Sequence, residues 1–189
     1  MNKKPLIAAV SSILLSSVFA TQALAADGTI TFDGKVTKAS CDVTTDSKDM
    51  SVTLPSISST AIGVNVGDIA GQTAFTIKLE NCESQTATAE KVRVAFVGAS
   101  DDDNIYALKN TATADAATGV ALQILQQDGE TKIDINNGAN KAVEYAIPAK
   151  GEGATTLDLH YNVAYVNTLG KEPTTGDVLS VATYSVEYN

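Results

Sequence analysis

The feature that most constrains this fold is a period of two. Apolar and polar residues alternate in short runs along much of the chain, at 29–36, 51–57, 74–79, 91–97, 157–165 and 178–188, and 120–125 reads as a further strand. Successive side chains of a strand point to opposite faces, so each run predicts a half-buried strand. Turn signals separate the runs: Gly98, the charged stretch from Asp101 to Asn104, Asp128-Gly129 and Asn137-Gly138. Shorter pieces at 105–108 and 132–135 read as minor strands, with polar loops at 100–117 and 130–153. The composition supports strands over helices, being rich in Thr, Val, Ala and Gly, with no Trp and four Pro. No internal repeat or second domain is visible. The expectation is one all-β domain, an immunoglobulin-like sandwich.

The first residues do not belong to that domain. Lys3 and Lys4 precede an apolar run at 6–20, and Ala23-Leu24-Ala25 offers small residues for cleavage. This predicts a secretory signal peptide cut after Ala25; the alternative, a membrane anchor, calls for a longer apolar span. The expected organisation is signal peptide 1–25, an N-terminal extension 26–40 and a folded domain 41–189. The formal charge is −9 over the whole chain, and losing Lys3 and Lys4 makes it more negative by two. So acidic a protein has no electrostatic route to nucleic acid or anionic lipid. No later segment is long and apolar enough for membrane insertion of the mature chain. Cys41 and Cys82 are the only cysteines. In an oxidising compartment a disulfide between them is expected, two free thiols being the alternative.

Candidate chemistry is sparse. His160, the only histidine, stands in an alternating run between Leu159 and Tyr161. No serine lies in a nucleophile-elbow context, so a structural or surface histidine is the expectation. A blue-copper site needs two histidines with a cysteine. Asp101, Asp102 and Asp103 lack the spacing, turn glycine and closing glutamate of an EF-hand loop and read as a solvated turn. No phosphate loop or dinucleotide fingerprint is present. No enzyme, no cofactor and no metal site is expected.

The two ends carry more information. In the opening run Ile30, Phe32, Gly34 and Val36 share one face, and Gly34 is a gap in a row of anchors. A glycine inside a strand weakens it unless another surface must approach closely there. A well-patterned strand at the start of a mature chain can be lent to a neighbour. In the last run Ala182, Tyr184, Val186 and Tyr188 share a face, and the sequence ends at Asn189. A sandwich ending on such a strand presents an open edge and an apolar groove, which proteins otherwise cover.

These features together resemble pilins of the chaperone–usher pathway, most similar to major subunits of type 1-like fimbriae. The matching stretches are Phe32-Asp33-Gly34-Lys35-Val36, Cys41 soon after, and the run from Phe75 to Cys82. Thr118 to Leu125, Gly176 fourteenth from the C-terminus and the penultimate Tyr188 also match. The loops 100–117 and 130–153 differ in detail and leave the host surface open.

The resemblance implies an incomplete immunoglobulin-like sandwich lacking its final strand, with an N-terminal donor-strand extension. It implies that a periplasmic chaperone lends a strand to the groove. At an outer-membrane usher, the N-terminal extension of another pilin subunit then replaces it. Ile30, Phe32, Gly34 and Val36 would be the donor residues. Gly176, Ala182, Tyr184, Val186 and Tyr188 would form the acceptor and chaperone-binding strand. The product would be an extracellular fimbria on the bacterial surface, supporting cell adhesion. A fimbrial adhesin or a minor or tip-adaptor subunit is the alternative role. A self-complemented monomer is the alternative state, since 26–40 fully extended spans about 50 Å.

Overall fold

The computed structural model describes residues 40–139, 142–153 and 155–189, with Thr31, Gly34 and Val36. The chain divides into two units, Met1–Gly34 and Lys35–Asn189. In the first, Thr31 and Gly34 are both exposed. The expected signal peptide and the donor residues Ile30 and Phe32 lie outside the described residues.

The second unit is built from strands β1 (Ser40–Val43), β2 (Ile69–Glu83), β3 (Glu90–Gly98), β4 (Val120–Gln126), β5 (Lys132–Ile133), β6 (Tyr145–Ile147), β7 (Thr155–Asn167) and β8 (Ala182–Tyr188). A four-residue helix α1 (Thr45–Lys48) follows β1, and a single 3-10 turn covers Ser59–Ile62. Five strands form one sheet in the order β1-β2-β7-β4-β5, and three form the other in the order β6-β3-β8. Every ladder is antiparallel. The result is an immunoglobulin-like sandwich in which β8 has no strand on its outer edge among the described residues.

The two inner faces close on one core. β2 contributes Ile77 and Leu79, β3 contributes Val92, Val94 and Phe96, and β7 contributes Leu159 and Tyr161. Their alternation is the period of two seen in the sequence, now aimed inward. Phe96 meets Tyr161 edge-on with ring centroids 5.2 Å apart, and Phe75 stacks on Tyr161 at 5.6 Å. The Tyr161 hydroxyl is buried and has no hydrogen-bond partner among the described residues. Burial, then the neighbouring Tyr145, pushes its pKa well above the ordinary phenol value.

β4 differs because both of its faces are covered. Leu122 and Ile124 enter the main core, while Ala121 packs with Ala107 and Val166 on the other side. Leu108 and Leu122 exchange both backbone hydrogen bonds, at 2.8 and 2.9 Å, which holds the 105–108 stretch at the edge of β4 with Ala107 against Ala121. That explains the near-continuous apolar run at 120–125. Between Ala70 and Thr73 the β2–β7 register shifts, and Gly71 sits in the irregularity with φ +64°. A side chain there would be strained and would strike the Tyr165 ring, 2.8 Å from the Cβ position.

Cys41 and Cys82 form the expected disulfide, tying β1 to β2. Other expectations are corrected. Within the 51–57 run burial alternates from Ser51 to Leu54, but the run pairs with no strand among the described residues and is not a ladder strand. The 105–108 piece is a turn with one bridging residue, Leu108. The last strand begins at Ala182, four residues later than expected. Conversely, β6 lies within the stretch read as a polar loop, paired with β3 from Glu90↔Ile147 to Val92↔Tyr145.

Candidate functional site

Two incompletely paired stretches face each other. One is the free edge of β8 and the chain leading into it; the other is 50–54. Between them runs a groove with a cavity of about 680 Å³. Its floor is core: Phe75, Ile77, Phe96, Leu122, Ile124 and Val163. One wall is 180–184, and the other runs from Val43 through Ser47 to Met50, Val52 and Leu54. Met50, Val52 and Leu54 are half-buried against the core, while Ser51 and Thr53 face solvent. A segment with that alternation has side chains placed for a strand position but no ladder.

Hydrogen bonds fix the walls. The Ser47 hydroxyl accepts from the Lys78 backbone N–H at 2.9 Å and from the Thr44 hydroxyl at 3.1 Å, seating α1 on β2. From the opposite wall the Tyr184 hydroxyl donates to the Ser47 carbonyl at 2.7 Å. The Cys41 backbone N–H donates to the Tyr188 hydroxyl at 2.9 Å. Burial, then the negative charge of Asp49, raises the pKa of Tyr184 above the ordinary phenol value. Two tyrosines of β8 thus tie the three-stranded sheet to the start of the five-stranded one at one end of the groove.

The expected acceptor residues fall into two groups. Ala182 and Tyr184 line the groove, and Tyr184, Val186 and Tyr188 pack against the core on the same face of β8. In the ladder they stand opposite core residues, Phe96↔Tyr184, Val94↔Val186 and Val92↔Tyr188. Gly176 lies outside β8. Its φ is +148°, and a Cβ would come within 2.6 Å of the Ala117 backbone nitrogen. It therefore packs directly on the chain at 115–117, and it borders a second cavity of about 260 Å³. Of the expected donor residues, Gly34 is exposed and Val36 is 99% exposed.

The wall formed by Ser47, Met50, Val52 and Leu54 was not singled out from sequence. Its signal was present, since 51–57 alternates, but alternation does not say whether a partner strand exists. Neither His160 nor the aspartates 101–103 line the groove. His160 bonds through Nδ1 to the Thr76 hydroxyl at 3.0 Å across the β2–β7 ladder. Asp101 accepts backbone N–H bonds from Asp103 and Asn104 in a turn, and Asp102 pairs with Lys109 at 2.7 Å. Among the described residues no three acidic, histidine or cysteine side chains converge on a metal site. No described helix is long and apolar enough to cross a membrane.

Known proteins with this sequence and architecture agree with one another. The family described as Fimbrial protein matches residues 30–189. The F17 fimbrial protein of Escherichia coli is 34% identical over 177 residues, covering 93% of this chain and 94% of its own length. A laminin-binding fimbrial subunit of Escherichia coli O157:H7 is 35% identical, covering 100% of this chain and 99% of its own. Among solved structures, the P pilus rod subunit shares the fold with a TM-score of 0.53 at 20% identity, over 79% of this chain and 99% of that one. A subunit of a chaperone–usher pilus does so with a TM-score of 0.55 at 20% identity, over 87% and 96%. The chain belongs to the fimbrial protein family and is a fimbrial subunit, a structural protein rather than an enzyme.

Proposed function

We propose that this chain is a structural subunit of a chaperone–usher pilus and polymerises head-to-tail by strand donation. The observation that carries this reading is the groove: an open β8 edge opposite the unpaired 50–54 segment, over a floor of core side chains. An extended segment laid there gains main-chain hydrogen bonds from the edge and side-chain pockets at every second position, the mode pilins are known for.

The donor is residues 27–38 of another copy. Ile30, Phe32 and Val36 fill the groove, each burial contributing about 1.5–3 kcal/mol. Gly34 lets the donor backbone approach the groove closely. The exposure of Val36 supports donation to another copy rather than insertion into the chain's own groove. Donor and acceptor are different surfaces, so the contact is head-to-tail, and one that does not close a ring gives an open filament.

Before assembly a periplasmic chaperone occupies the groove, and exchange at an outer-membrane usher delivers the subunit to the cell surface. This scheme divides the chain into signal peptide 1–25, donor 26–40 and acceptor domain 41–189. A second reading adds host contact by the filament itself, because one relative is named a laminin-binding fimbrial subunit.

Electrophoresis of unboiled protein tests the proposal. Full-length protein gives a ladder that collapses on boiling, and deletion of 27–38 abolishes it. A ladder from the truncated protein rejects strand donation.

A further inference from the structure

The groove does not stop where its apolar cavity stops. The same two stretches of chain that wall it, 50–54 and 180–184, continue as Ser56 and Ile57 on one side and 174–178 on the other, and between these lies the second cavity. The two cavities therefore lie end to end along one cleft, and they differ in chemistry. The rim of the second carries Ser56, Ser59, Thr174 and Asp177, with no lysine or arginine among its lining residues. The Ser59 hydroxyl donates to the Glu172 carboxylate at 2.6 Å, which adds a second acid to that rim.

The Asp177 backbone is fixed: its N–H donates to the Asp115 carbonyl at 2.7 Å, and its carbonyl accepts from Ala117 N–H at 3.0 Å and Asn110 Nδ2 at 2.8 Å. Its exposed carboxylate makes no hydrogen bond or ion pair with a described residue. An acid held by its backbone at the end of a cleft, with its charge uncompensated, is placed for a cation arriving along that cleft.

The donor face supplies one. Ile30, Phe32, Gly34 and Val36 are followed on the same face by Lys38. A step of two residues advances an extended strand by about 6.8 Å. With Val36 at 180, the groove-lining position nearest the second cavity, that step carries position 38 to 178, beside Asp177, provided the donor runs antiparallel to β8. The opposite direction would bring Gly28 and Asp27 to the acidic rim, with no cation.

We propose that the cleft has a fifth, polar position, in which the Lys38 ammonium of the incoming copy pairs with the Asp177 carboxylate. This rests on the strand-donation reading and adds direction and register to it. Gly34 already disfavours a slip of two, and a charge at one end of the row opposes it further. The pair also discriminates between subunits that could otherwise exchange strands, because a like charge at either position opposes docking.

The test is a charge swap in the full chain, read as the rate of ladder formation at low and high salt. Lys38→Glu and Asp177→Lys each slow assembly about tenfold at low salt, and the double variant recovers most of the wild-type rate. Single variants that assemble at the wild-type rate, or a double variant no faster than the singles, overturn the pairing. Gly34→Leu runs beside them. If it blocks the ladder while the charge variants do nothing, strand donation stands and the Lys38 position falls; if it assembles normally, both fall. In wild-type polymer, carbodiimide coupling followed by peptide mapping joins Lys38 to Asp177 of another copy. Coupling of Lys38 to a carboxylate elsewhere overturns the proposed register.

Discussion

The two sheets have the same strand chemistry and opposite fates. In the five-stranded sheet, β4 lies between β7 and β5, and six of its seven residues are buried. In the three-stranded sheet, β8 pairs with β3 alone, and none of its seven residues is fully buried. β8 alternates apolar and polar residues, whereas β4 is apolar at five of its seven positions, but both consist largely of strand-forming residues, so propensity does not separate them. The neighbours do. β4 is flanked on both edges, with Leu108 bridged to Leu122 on one of them, whereas β8 faces a cleft whose far wall has no ladder of its own. One sheet holds the domain together, and the other holds an edge open.

Removing the disulfide attacks the first sheet hardest. Cys41 and Cys82 close a loop with a sequence separation of 41, and the chain-entropy model values such a constraint at about 4 kcal/mol. Chemical denaturation of the Cys41→Ala, Cys82→Ala protein should show a loss of that order, and the groove should go with it, because β1 begins one of its walls.

Next in size is a matched pair of leucines. Leu159 is fully buried in β7, and Leu159→Ala should cost about 2–5 kcal/mol in the monomer. Leu54 lines the groove and is half-buried, so Leu54→Ala should cost about 1 kcal/mol in the monomer. Its larger effect should appear as faster dissociation of the polymer. Equal costs in monomer and polymer would erase the distinction between the two regions.

The smallest effect lies far from the cleft. In the turn between β4 and β5, the Asp128 carboxylate accepts from the Thr131 hydroxyl at 2.6 Å and from the backbone N–H groups of Glu130 and Thr131 at 2.9 Å. The Thr131 hydroxyl first, then those two N–H groups, hold its pKa below the ordinary value of 3.8. A depressed carboxylate stabilises the fold above its unfolded pKa, and the contribution disappears as pH falls through the lower folded value. Thermal melts of wild type and Asp128→Ala should therefore differ slightly at neutral pH and converge below about pH 3.8, with assembly unaffected.

Much of this was legible in sequence because it is local. The runs that became β2, β3, β7 and β8 carried their period in their own residues, the apolar run of β4 marked a strand covered on both faces, and Asp128-Gly129 marked its turn. What failed to show depended on residues distant in the chain. The 51–57 alternation is genuine, yet a strand also needs a partner, and none of the described strands supplies one. β6 is three residues long with only Ile147 fully buried, too short to carry a period, and it exists because β3 offers an edge. Gly176 was placed with the last strand by its distance from the C-terminus, but its position is set by contact with 115–117.

Hydrogen exchange compared between monomer and polymer tests the central claim most directly. If a donated strand completes the sandwich, alternate amides of β8 and those of 50–54 should gain about a hundredfold or more in protection on assembly, while β4 stays unchanged. Protection of β8 that is the same in both states would mean that its edge is not where subunits join.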